Sequence, residues 1–261
     1  HVPQDEQSQA EGLRYLSRMA RAALEWYVEF NDAAFPVLYQ PAHETIKLGA
    51  DNPDNVYQKA VIDGHFDYRL TGRRGSIDYI SFATSKGSYA ENLKQIETGF
   101  LDSNALDMDA DGNFEIVLSA RTQSGNWLPM DTESESLLIR QTFLDRSIEV
   151  PADLQIQRLD PSATPEPLSS EKITANFDKA MAFYRNTIGL FSQWSKEIRN
   201  NPNRLLLWDQ AFCQAVGGDP NIIYYHGHFR LHIDEVMVVK LASIPDCQTW
   251  NLQVDNYWME S

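Results

Sequence analysis

Between residues 55 and 159 the chain breaks into short β-patterned runs separated by turn residues, and that series limits the fold more than any other feature. Residues 57–82 read YQKAVIDGHFDYRLTGRRGSIDYISF, in which Asp63-Gly64 is a two-residue hairpin signal and Arg74-Gly75 marks a second turn, so an antiparallel meander is expected there. A short helix is expected over 92–101, and further strands over 113–121, 136–144 and 154–159. Strands in such a series imply a sandwich or barrel rather than βαβ units.

Helices are expected on either side of this block. From 9 to 29, Leu13, Leu16, Ala20, Leu24 and Tyr27 recur at three- and four-residue steps and mark an amphipathic helix. Residues 160–167 (DPSATPEP) hold three prolines and read as a linker. After it, Ser169 or Ser170 can N-cap a long helix with the stripe Ile173, Phe177, Ala180, Tyr184, Ile188, Phe191, Ile198. A shorter helical segment over 203–216 ends at Gly217-Gly218. The chain divides accordingly into an N-terminal helix and irregular crossing (1–50), a first β block (51–160), a linker and helical segment (161–218) and a second β block (219–261) packed with the first. The expected fold class is mainly β with inserted helices (α+β), as an antiparallel β-sandwich or jelly-roll-like fold.

The second β block opens with YYHGHFRLHIDEVMVV, residues 224–239, which holds half of the histidines. In an extended strand Tyr224, His226, His228, Arg230, His232 and Asp234 project one way and Tyr225, Gly227, Phe229, Leu231 and Ile233 the other. The apolar face is expected on a core, and the titratable face toward solvent, a cleft or a partner. His226, His228 and His232 are the candidate acid/base groups, because imidazole titrates near neutral pH. Arg230 and Arg140 are candidates to hold an anionic group, and Glu235, Asn126 and Trp127 complete the candidate substrate-binding set.

Other chemistry is thinly represented. No cofactor is expected. His226 and His228 have the HxH spacing of paired metal ligands, but Arg230 on the same face opposes a dication, so a transition metal there is a weak alternative. Asp107, Asp109 and Asp111 match the first half of a calcium loop and lack its final Glu, which makes calcium a second weak alternative. Arg69, Arg140 and Arg146 stand among apolar strand residues, where ion pairing with Asp67, Asp145 or Glu149 is expected. The sequence lacks a dinucleotide fingerprint, a phosphate loop, a serine-hydrolase elbow and a cysteine pair at zinc spacing.

The 22 Lys and Arg residues against 37 Asp and Glu give a net charge of −15, which disfavours nucleic acid and anionic membranes as partners. No apolar run approaches the ~18–20 residues of a membrane span. Two cysteines, Cys213 and Cys247, make no disulfide framework and read as buried thiols, so a cytoplasmic location is expected, with a removed signal peptide as the alternative.

Several blocks together carry a resemblance. DNPDNVYQKAVIDG, YRLTGRRGSIDYISF, SGNWLPM, LLIRQTFLDR and DEVMVVKLASIPDCQTWNLQVDNYWMES resemble the bacterial domain-of-unknown-function family twelve-fourteen. The resemblance implies a β-sandwich or jelly-roll-like fold with inserted helices. It also implies a further β segment beyond the block ending at Ser261, and glycine or aromatic residues more often than histidine at 226 and 228.

Taken together, the chain is expected to bind a small organic molecule, carbohydrate-like or lipid-like, with a catabolic hydrolase or lyase using the His/Arg strand face as its catalytic form. The alternatives are a noncatalytic interaction or assembly module, as a homo-oligomer or with a completing chain, and a metalloenzyme built on HxH.

Overall fold

The computed structural model describes residues 3–160 and 164–261. Eight strands form two four-stranded sheets. The first sheet has the order β1 (Asn55–Val61), β7 (Ser136–Thr142), β3 (Tyr79–Lys86), β4 (Ile96–Asp102), all antiparallel. The second has the order β6 (Trp127–Pro129), β5 (Asn113–Ser119), β2 (Tyr68–Arg73), β8 (Asp153–Arg158), with β5 and β6 parallel.

Between the sheets lies an apolar core that includes Ala60, Leu70, Ile80, Phe82, Ile116, Leu118, Leu137 and Ile139, each contributed by the period-two alternation of its strand. The chain is therefore mainly β, sandwich-like, with helices added.

The strand connections differ from the expected meander. β1 and β2 sit in different sheets, so Asp63-Gly64 carries the chain across the sandwich and closes no hairpin. Gly64 is required there by close backbone approach, because a Cβ would lie 2.0 Å from the Asp131 carbonyl oxygen. The same crossing happens between β2 and β3 at Arg74-Gly75.

The expected helix at 92–101 is replaced by β4, paired along β3. Gly99 lets that strand pass over Pro129, whose carbonyl oxygen would be 2.1 Å from an added Cβ. Tertiary pairing overrides weak local helix preference here.

A second hydrophobic cluster, built from helices, covers the outer side of the first sheet. α1 (Glu6–Leu24) is capped by Asp5, whose carboxylate accepts from the Ser8 N–H, and it ends in a π-helical turn, Glu25–Glu29. α2 (Ser170–Ile198) starts at Ser169, whose hydroxyl accepts from the Lys172 N–H. The buried stripe of α2 is Ala180, Phe183, Thr187, Phe191 and Trp194, so Phe177 of the expected stripe is exposed. Residues 161–163 of the expected linker lie outside the described residues.

The 203–216 segment is a strand, β9 (Arg204–Leu207), followed by a short helix, α3 (Gln210–Ala215), which closes at Gly217-Gly218. β9 pairs with β10 (Tyr225–His228), and regular pairing ends there. The rest of the second β block expected over 219–261 forms no further strand. Residues 229–255 instead run as an irregular, largely exposed arm. The last residues return to the body, where Trp258 stacks on Tyr15 at 5.9 Å and the buried Glu260 carboxylate pairs with Arg18 at 2.5 Å.

Candidate functional site

On β1 and β7 the residues facing away from the sandwich core are Tyr57, Lys59, Leu138 and Arg140, placed side by side by the pairs Tyr57–Arg140 and Lys59–Leu138. Opposite them stand Trp26 of the π-helical turn and Phe191 and Trp194 of α2. Between the two layers lies a cavity of about 1390 Å³, bounded on its remaining sides by β10 and the arm. Ligand pockets commonly hold about 300–1,000 Å³, so this space suits an organic molecule of substantial size.

The cavity wall is mixed, with Trp26, Tyr57, Tyr89, Phe191 and Trp194 among its aromatic members. Trp194 lies 5.2 Å from the His226 ring, and Phe212 and Trp208 pack behind these two, 4.9 Å from Trp194 and 5.5 Å from the imidazole. Set into this wall are polar atoms without partners. Among the described residues, Nε1 of Trp26 and of Trp194, Oδ1 of Asp51 and of Asn55, and Nε2 of His226 are buried and make no hydrogen bond. All five residues line the cavity. Buried polar groups left unpaired are costly, and five such groups belong to residues that line one space.

The titratable groups respond to this environment. Burial pushes His226 down to about 4, so its imidazole is neutral at neutral pH. Burial, with Arg199 and Arg230 nearby, also lowers His228. Burial lowers Lys59 to about 8, opposed by Glu135, and raises Asp255 to about 6. Asp51 is also raised by burial, although Lys47 and Ser261 contact its other oxygen at 3.5 and 3.0 Å.

His226 and His228 project inward from β10 and line the cavity, while Tyr225 on the other face is exposed. The apolar face expected on a core is the more exposed one, although Tyr225, Phe229 and Leu231 also border the cavity, and the titratable face is the more buried. Arg230 and His232 leave that face, because Asn203 holds the Arg230 backbone through both its amide atoms, at 2.7 and 3.0 Å. The chain then turns at residues 232–235, where the His232 N–H donates to the Glu235 carboxylate. His232 and Arg230 are exposed, and Glu235 stands on the arm at the cavity rim.

Arg140 also lines the cavity, but its guanidinium is committed, donating to the Gly217 carbonyl at 2.5 Å and lying 3.6 Å from Asp219. Asp219 is thus the partner of Arg140, not Asp67, Asp145 or Glu149. Arg69 pairs with Glu115, and Arg146 donates to the Pro53 and Asn55 carbonyls.

Asn126 and Trp127 do not line this space. The Asn126 amide ties Asp107 to Glu115, and the Trp127 N–H donates to the Ser119 carbonyl, so both brace the second sheet. Asp109 collects the N–H groups of Asp111 and Asn113 around a turn at Gly112. Among the described residues no group of three or more His, Cys, Asp or Glu side chains is arranged to hold a metal ion. Cys213 is buried, with its thiol raised to about 11, whereas Cys247 is exposed, contrary to expectation. Among the described residues no helix is long and apolar enough to cross a membrane.

Trp26, Lys59, Trp194 and Asp255 were not among the residues singled out from sequence. The only signal available was the unusual Lys59 in an otherwise apolar strand neighbourhood, KAVI, which by itself reads as a solvent-facing residue.

The sequence matches no protein-family model and no curated protein. The fold is similar to the crystal structure of an uncharacterized protein from Burkholderia cenocepacia, with a TM-score of 0.97 and 50% identity over 99% of this chain and 72% of that one. A protein from Vibrio parahaemolyticus matches at a TM-score of 0.34 and 16% identity, over 59% of this chain and 44% of that one.

Proposed function

We propose, on the premise that this chain belongs to the family of the uncharacterized Burkholderia cenocepacia protein, that it binds a small organic molecule in the cavity between the first sheet and the helical layer. The observation that carries this reading is the cavity of about 1390 Å³, five of whose lining residues, Trp26, Asp51, Asn55, Trp194 and His226, each hold a buried polar atom without a protein partner. A carbohydrate-like or lipid-like ligand fits such a lining, because both present an apolar face together with a few hydrogen-bonding groups. Identity of this family with domain-of-unknown-function family twelve-fourteen is a proposal carried by the sequence blocks.

In a catalytic form, as a hydrolase or lyase, proton transfer falls to Asp255 before His226. A carboxyl group near 6 exchanges its proton close to neutral pH, whereas an imidazole near 4 holds none there. A thermal-shift screen of small amphiphiles tests the binding reading. Ligands are expected to raise the unfolding temperature in a saturable, concentration-dependent way. A flat response across sugars, fatty acids and aromatic acids would contradict it.

A second reading is favoured by the arm, where Ile233, Val236, Val238, Ile244 and Val254 are all exposed. Exposed apolar surface on this scale marks an interaction site. We propose that its occupant is a polypeptide segment equivalent to the part of the Burkholderia chain outside the match. That chain follows the same course over 99% of this one and has further length. Hydrogen exchange tests this: the arm amides are expected to exchange slowly in the full-length Burkholderia protein and fast in this chain. Equally fast exchange in both would contradict it, and protection that grows with this chain's concentration would assign the arm to a second copy instead.

A further inference from the structure

Four basic side chains line the cavity, and three are accounted for. Arg140 is held by Gly217 and Asp219, Arg199 lies 5.2 Å from the Tyr257 ring, and Arg204 is exposed. Lys59 differs. Its Nζ lies 5.6 Å over the Trp26 ring, and among the described residues it makes no hydrogen bond and no ion pair. Glu135 influences it through space without contact.

A half-buried lysine whose ammonium meets no protein acceptor is costly to keep. The ring beneath it compensates only in part, because at 5.6 Å a cation–π contact replaces little of an ammonium's hydration. The neighbouring Trp26 N–H is itself buried and unpartnered, and both residues line the cavity.

Donors of this kind call for an acceptor oxygen, and the positive charge calls for a negative one. The charge of the ligand is limited by the same wall, because Asp51 and Asp255 also line it and repel a multiply charged group such as a phosphate. We propose that Lys59 anchors a carboxylate, and that the ligand is a monocarboxylic acid whose apolar body lies along Trp26, Phe191 and Trp194. This rests on the binding reading above and names the ligand class of that site.

The test uses matched pairs that share a carbon skeleton: octanoate and 1-octanol, 3-phenylpropionate and 3-phenyl-1-propanol, 1-naphthoate and 1-naphthalenemethanol. Affinities are measured by tryptophan fluorescence and calorimetry on the wild-type chain and on Lys59→Met and Lys59→Arg. A charge-assisted hydrogen bond predicts that at least one acid binds about tenfold or more tighter than its alcohol. Lys59→Met is expected to erase that preference while leaving alcohol binding within about twofold, and Lys59→Arg to restore part of it.

If the alcohols bind wild type as well as the acids, or the acids keep their affinity in Lys59→Met, the carboxylate assignment is overturned and the cavity reading stands. If no member of any pair binds wild type, both fail.

Discussion

His226 and Asp255 carry opposite signs in their effect on stability, and together they give this site a pH signature. The His226 imidazole is held near 4 by burial, below its ordinary 6.5, so the stability it contributes is full above 6.5 and is lost as pH falls toward 4. Asp255 is held near 6, above its ordinary 3.8, so its contribution is full below 3.8 and is lost as pH rises through 6. Between pH 7.5 and 5 the two oppose each other. Replacing the histidine removes one side of the balance. His226→Leu is therefore expected to gain about 2 kcal/mol relative to wild type on going from pH 7.5 to 5, read from urea unfolding at both values. A stability difference between the two proteins that does not change with pH would place His226 in water. Period-two alternation made it legible that His226 and His228 share one face of a strand, but not that this face is the more buried one. It misled beyond His228, because the Asn203 amide takes up the Arg230 backbone groups that a continuing strand would have paired.

Element by element, the strands of the sandwich were readable wherever one face packs on a core. β5, β7 and β8 fall close to where alternating apolar residues place them. β4 was not readable, because its residues face partly exposed surroundings and its pairing depends on β3 and on the passage over Pro129. Gly99 is the residue that makes this passage possible. Gly99→Ala puts a Cβ about where the Pro129 carbonyl oxygen stands, and the backbone of one strand must move. The expected cost is about 2 kcal/mol or more in urea unfolding, larger than the same change at Gly189 in the middle of α2, where the backbone is helical and an added Cβ meets nothing within 4 Å. Equal effects at the two glycines would contradict the close approach of β4 to β6. The inter-sheet crossings were misread for a related reason. A dipeptide such as Asp63-Gly64 reports a turn but not which sheet receives the next strand.

For the whole molecule, the sandwich with added helices was legible, because a series of short alternating runs has few ways to bury its apolar faces. The cavity was not legible. It exists because α1, α2 and the π-helical turn stand off the outer face of the first sheet, and nothing in the strand pattern announces a second layer there. Lys59 illustrates the point, since a lysine on a half-buried strand reads as solvent-facing until a helical layer covers it.

The measurement that bears most directly on the cavity is ligand binding by a variant in which the space is filled from the sheet side. Leu138→Trp projects a larger side chain from β7 into it without touching the sandwich core, whose β7 contacts are made by Leu137 and Ile139. Ligands that raise the unfolding temperature of the wild-type chain are expected to lose about tenfold or more in affinity in a variant that remains folded. Unchanged affinity in a folded Leu138→Trp chain would contradict the cavity as the binding site.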